Sequence, residues 1–250
     1  MRGERCIRMN GKPPRRHVDD CSDAELSEIT TALIQSVSPK VLSKAMAGAA
    51  VRTMRTLSKG RPVSLRQVAQ ACEISVEEAD QVVQQFRNMG LAELDSNGAI
   101  VGMIVSLQPT VHRLRVNNVN LFAWCAIDTL FLPSVLDRPA EVESVCGGTG
   151  ESVRLSVAPD GVKSVIPVHA VLSIVAPGCT PGIDAQCGPA LVGSQGAFCG
   201  NVLFFSSTEA ALPWLSSHPG AVILPIKEAH ELARKVWAIP FLESLSEVSS

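Results

Sequence analysis

Between Leu121 and Pro133 the chain reads LFAWCAIDTLFLP, an apolar run whose only charged side chain is Asp128. Segments this apolar go into a core, and whatever they carry goes in with them. The run is shorter than the roughly 18 to 20 residues that cross a bilayer, so it is expected to be a buried helix of a folded domain. Residues i and i+3 of a helix share a face, which would put Cys125 and Asp128 within reach of each other. A carboxylate buried beside a thiol is costly unless it is hydrogen-bonded or transfers protons, and burial should raise its pKa toward that of a working acid or base. By spacing alone the blander reading leads: a backbone-bonded aspartate next to an ordinary buried cysteine.

The rest of the 250-residue chain can supply the core such a run needs, since 46% of its residues are hydrophobic. The formal net charge of −2 excludes a global field that would gather nucleic acid or coat an anionic membrane, and neither is expected as a partner. The opening MRGERCIRMNGKPPRRHVDD lacks the apolar centre of a signal peptide, so a cytoplasmic location is expected. Eight cysteines in that compartment should be reduced thiols, and none falls in a Cys-x-x-Cys pair.

The fold class expected is α+β, with an N-terminal winged-helix-like unit packed on a sheet-and-helix catalytic domain. Residues 1–22 mix Arg, Lys, Pro and Gly without apolar periodicity and are expected to be a mobile tail. Residues 23–107 are expected to be mainly helical. Within them Ser64 and Ser75 are placed to cap two short amphipathic helices, and LAELD and AIVGMIV flank a Ser-Asn-Gly turn, as in a winged helix. The second of these helices carries Glu77, Glu78 and Asp80 against Arg87, which favours packing over reading DNA. Residues 108–250 are expected to hold short strands (AEVESVC, ESVRLSV, VHAVLSIV, FCGNVLFFSS, AVILPI) and two further helices, with a Gly- and Pro-rich loop from Pro177 to Phe198.

Cys199 lies at the start of the apolar FCGNVLFFSS, another run with no packing need for a thiol. Two thiols and a carboxylate suit a soft two-coordinate metal ion together with a proton donor. Zinc fits less well because no His or further Cys stands at ligand spacing. A cysteine protease would need a histidine partner; His112 and His169 are available, but no protease signature surrounds Cys125, and His112 reads as structural. The absence of tyrosine removes any phenol as a proton donor.

With WCAIDTLFLP, FCGNVLFFSS, LSKGRPVSLRQVA and EVESVCGGTGESVRLSV in view, the chain resembles the alkylmercury lyases, also called organomercurial lyases, over roughly Ala32 to Ala238. The first two motifs are specific to that family. The resemblance implies cleavage of carbon–mercury bonds by protonolysis. Cys125 and Cys199 match the two catalytic cysteines, which would also hold the Hg(II) product with Asp128 alongside. Asp128 matches the catalytic aspartate and Cys146 a structural cysteine. It implies no cofactor, external small-molecule thiols for turnover, and mercuric reductase as a mercury acceptor. Gly200-Asn201 stands where relatives more usually carry an extra Cys or His. Cys179 and Cys187 on the long loop are candidate auxiliary thiols, against the blander reading of ordinary loop cysteines. The alternatives are a winged-helix, metal-responsive regulator without enzymatic activity, and a thiol redox protein.

Overall fold

The computed structural model describes residues 23–36, 38–175, 198–218 and 221–246. The expected N-terminal tail and the loop cysteines Cys179 and Cys187 lie outside the described residues. Four helices come first: α1 (Asp23–Ser36), α2 (Lys44–Leu57), α3 (Leu65–Cys72) and α4 (Val76–Asn88). Both expected caps are formed: Ser64 and Ser75 each accept a hydrogen bond from the third helical N–H, while Gln67 and Glu78 reach back to the cap N–H. Ser43 caps α2, and Pro39–Val41 forms a separate 3-10 turn before it.

An antiparallel sheet of eight strands follows, in the order β1-β2-β3-β5-β4-β6-β7-β8. Its strands are β1 (Glu93–Leu94), β2 (Ile100–Met103), β3 (Val105–Ser106), β4 (His112–Val116), β5 (Val119–Ala123), β6 (Ala140–Val145), β7 (Ser152–Ala158) and β8 (Gly161–Ile166). The hairpin expected around Ser-Asn-Gly is formed by β1 and β2, with Gly98 at φ +78°. It does not project from the surface but makes one end of this sheet, since β2 pairs β3 and β3 pairs β5. The hairpin β4–β5 was not anticipated. Its turn residues Asn117 and Asn118 both take positive φ, at 48° and 62°, the conformation that asparagine tolerates in two-residue hairpin loops. Along β4 and β6 burial alternates, so one face of the sheet packs and the other meets water.

A second sheet of three strands, β10 (Phe204–Phe205), β9 (Val171–Val175) and β11 (Ala221–Pro225), has β9 at its centre, buried throughout. Helix α6 (Thr208–Ser217) joins β10 to β11, and α7 (Ile226–Ala233) continues through a π-helical turn at Arg234–Ala238 into α8 (Ile239–Glu243). Helix α5 (Asp128–Leu136) runs through the middle of the molecule with every residue buried, against β7, α2, α7 and the π turn. Arg55 of α2 donates to the Val135 carbonyl, placing a cation at the negative end of α5. One connected core extends from Leu33 to Phe241.

The β6–β7 turn is tied to the second sheet through Cys146. Its sulfur accepts the backbone N–H groups of Thr149 at 3.4 Å and Ser206 at 3.2 Å, and Gly147 N–H reaches the Phe204 carbonyl. Burial alone would raise the Cys146 pKa, but these hydrogen bonds outweigh it and lower the thiol from 9.0 to about 7. Gly148 is needed beside it, because a Cβ there would run into the Ala210 carbonyl oxygen.

Two outcomes follow for stability. Cys146→Ser should lose about 1 to 3 kcal/mol, since a serine hydroxyl cannot replace a thiolate accepting two N–H groups. A pKa lowered on folding contributes stability above the unfolded value of 9.0 that is lost as pH falls through about 7. The gap between parent and Cys146→Ser, followed by urea unfolding, should therefore widen from pH 7 to pH 9; a gap that closes would mean the sulfur is not an anion acceptor. Gly148→Ala should cost about 1 to 3 kcal/mol by the same measurement.

Candidate active site

The run expected as one buried helix is instead a strand, a corner and a helix. β5 ends at Ala123, Trp124 to Ile127 turn the corner, and α5 opens at Asp128. An all-apolar stretch has no period to separate these states, and the strand and helix merged on reading. Cys125 and Asp128 nevertheless meet, for a different reason. The carboxylate Oδ2 accepts the backbone N–H of Cys125 at 2.8 Å, closing the corner across the first turn of the helix. Thr129 donates its hydroxyl to the Ala126 carbonyl at 2.7 Å, securing the other side of the corner.

Cys199 was expected at the start of a strand. It lies instead on a 3-10 turn, Cys199–Asn201, and the strand is reduced to Phe204–Phe205. The turn is held to the second sheet by Ser173, fully buried in β9. Its hydroxyl donates to the Asn201 carbonyl at 3.0 Å and accepts Leu203 N–H at 3.0 Å. Ala126 N–H bonds the Val202 carbonyl at 3.2 Å, so the Cys125 corner and the Cys199 turn are joined backbone to backbone. Ser173 was missed in reading, although a lone serine in the apolar strand VLSIV signals a buried hydroxyl that must have partners.

As a result Cys125, Asp128 and Cys199 converge, with their sulfur and oxygen atoms all within 4.8 Å of one another and all three residues buried. Among the described residues no other group of His, Cys, Asp or Glu is arranged to hold a metal ion. Burial raises the Asp128 carboxyl from 3.8 to about 7, against the hydrogen bonds from Cys125 and Trp124 that favour its charged form. The Cys125 thiol is pushed well above 9.0, first by burial, then by its hydrogen bond with Cys199 and by the Asp128 charge. Cys125 is therefore held as the thiol at rest, with the Asp128 carboxyl placed to accept its proton.

Of the other residues singled out, Cys146 belongs to the β6–β7 turn described above. His112 is buried, with Nδ1 2.7 Å from the Ser144 hydroxyl and its ring edge-on to Phe204. Burial lowers its pKa to about 4, so it is neutral at physiological pH. His169 is exposed after β8.

The family model described as alkylmercury lyase matches residues 105–238, which spans β3 to the π turn and all three converging residues. A protein of Staphylococcus epidermidis named alkylmercury lyase is 42% identical over 185 residues, 74% of this chain and 79% of its own length. One of Bacillus cereus with the same name is 37% identical over 210 residues, covering 84% of this chain and 90% of its own. A solved structure described as the mercury-bound form of MerB2 superposes with a TM-score of 0.63 at 22% identity, over 89% of this chain and all of the other, which shows a shared fold. With a family model over more than half of its length and relatives at this identity, the chain belongs to the alkylmercury lyase family.

Proposed function

We propose that the chain cleaves the carbon–mercury bond of organomercurials by protonolysis, with Cys125, Asp128 and Cys199 as the reacting groups. The observation that carries this reading is the convergence of two thiols and a carboxyl of raised pKa in one buried site. Mercury is soft and prefers sulfur, but thiols at neutral pH are mostly protonated and need a base. Asp128 is that base. One cysteine displaces the ligand X of R–Hg–X, and its proton leaves with X. The second thiol gives its proton to Asp128 and adds to mercury as thiolate, which raises the electron density on the bonded carbon. Asp128 then delivers the proton to carbon. The balance is R–Hg–X plus two thiols giving R–H, HX and Hg(II) held by two thiolates.

The raised pKa suits both halves of this work. A carboxyl at about 7 takes a proton from a thiol and returns it readily at neutral pH, which an ordinary aspartate does poorly. Hg(II) bound by two buried sulfurs leaves by exchange with small-molecule thiols, and mercuric reductase is the proposed acceptor. No resident cofactor enters the scheme. The helix, helix and hairpin unit of residues 23–107 is read as a winged-helix-like element used for packing against residues 108–250. The exposed face of α4 presents Glu77, Glu78 and Asp80, and the hairpin is built into the sheet. The regulator reading therefore has no support.

Purified protein mixed with phenylmercury and excess thiol should release benzene; folded protein that cleaves no aryl or alkyl mercurial would end the reading. Asp128→Asn should still capture mercury at raised pH but release hydrocarbon about 10² to 10⁴ times more slowly in a single turnover. In the parent, release should fall as pH drops below about 7, because protonated Asp128 no longer accepts a thiol proton, and Asp128→Asn should lack that limb. Cys199→Ser should capture an organomercurial through Cys125 and scarcely cleave it. Parental cleavage by Cys199→Ser would remove that residue from the scheme.

A further inference from the structure

The helix that closes the described chain changes pitch next to the site. Between α7 and α8, Arg234–Ala238 form a π-helical turn, a feature that costs regular hydrogen bonding and recurs at functional sites. Its local cause is Pro240, which has no N–H to offer the Val236 carbonyl four residues earlier. That carbonyl is satisfied from outside the helix by the buried Ser38 hydroxyl, at 2.6 Å.

The turn presents Trp237 to two aromatic rings that belong to the two halves of the site. Phe131 lies three residues after Asp128 on α5, and its ring stacks on Trp237 at 5.8 Å between centroids with the planes 10° apart. Phe198 is the residue before Cys199, and its ring meets Trp237 at 6.1 Å, tilted by 40°. Trp237 is 5% exposed and Phe198 3%, so the trio is a packed unit of the core. The indole thus bridges the helix bearing the carboxyl and the turn bearing the second thiol.

We infer that Trp237 is a positioning residue for the carbon–mercury cleavage: held by the π turn, it sets where the Cys199 sulfur stands relative to Cys125 and Asp128. The inference rests on the proposed role of Cys199 as second thiol. The chemistry makes that position matter, because capture needs one sulfur, whereas protonolysis needs the second sulfur on mercury while the carboxylic acid faces carbon. Misplacing a reacting group by about 1 Å can cost about 10²-fold in rate.

The test is single-turnover benzene release from phenylmercury, with protein-bound mercury measured in parallel, for the parent, Trp237→Leu, Trp237→Phe and Cys199→Ser, and for Trp237→Leu combined with Cys199→Ser. Trp237→Leu should bind mercury like the parent and release benzene about 10 to 100 times more slowly. Trp237→Phe, which restores a ring between Phe131 and Phe198, should recover most of the rate. In the Cys199→Ser background Trp237→Leu should add almost nothing, since residues acting through one another are not additive. Parental release by Trp237→Leu, or an equal loss in both backgrounds, overturns the positioning role. Parental release by Cys199→Ser instead overturns the site reading beneath it. If Trp237→Leu does not fold, Phe198→Leu, which keeps the stack of Trp237 on Phe131, takes its place with the same expectations.

Discussion

The hydrogen bond from Cys125 N–H to the Asp128 carboxylate, 2.8 Å long, is the contact on which the molecule turns. It ends a strand and starts a helix in the same few residues, and so joins the large sheet to the buried α5. Without an acceptor there, the corner would leave a backbone donor unsatisfied in a region where Cys125, Ala126 and Ile127 have no exposure at all. The same carboxyl that closes the corner is the proposed proton carrier. One side chain therefore closes the corner and stands in the site beside the two thiols.

That economy has a thermodynamic cost. Asp128 is 7% exposed and, among the described residues, has no cation beside it, so its ionised form is opposed by desolvation and supported by N–H and S–H donors. Its pKa is raised on folding from 3.8 to about 7. The folded state therefore holds this proton more tightly than the unfolded chain, and stability present below pH 3.8 is drawn down as pH rises through about 7. The apolar bulk around it, from Leu130 and Leu132 on α5 to Val202 and Phe204 beyond Cys199, absorbs that loss. Surplus hydrophobic burial holds the carboxyl at a working pKa.

Much of this was legible in sequence wherever the determinant is local. The capping boxes at Ser64 and Ser75 and the turn at Gly98 depend on residues a few positions apart, and they stand where the pattern puts them. The β4–β5 hairpin had equally local signals, Asn117-Asn118 at its turn and Arg113 and Arg115 alternating with apolar residues on a strand with one face in water. The site divides in the same way. Cys125 and Asp128 are near neighbours, and their meeting could be reasoned from spacing, although through the wrong element. The approach of Cys199 could not, since it depends on the bond of Ala126 to Val202 and on Ser173 in another strand. Such contacts have no period and no spacing rule, and only resemblance to a family pointed to them beforehand.

The run of pairing from β2 through β3 to β5 means that residues 23–107 and the residues after them share a single ladder of backbone hydrogen bonds. A cut between them at residue 107 would not release a tidy domain. It would strip β3 from β5 and leave β5 as a raw edge, its N–H and C=O groups open to the next strand that came by, immediately before the corner that carries Cys125. The leading unit thus serves as edge protection for the strand that leads into the Cys125 corner, and a shortened chain would be drawn toward aggregation before its chemistry could be assayed.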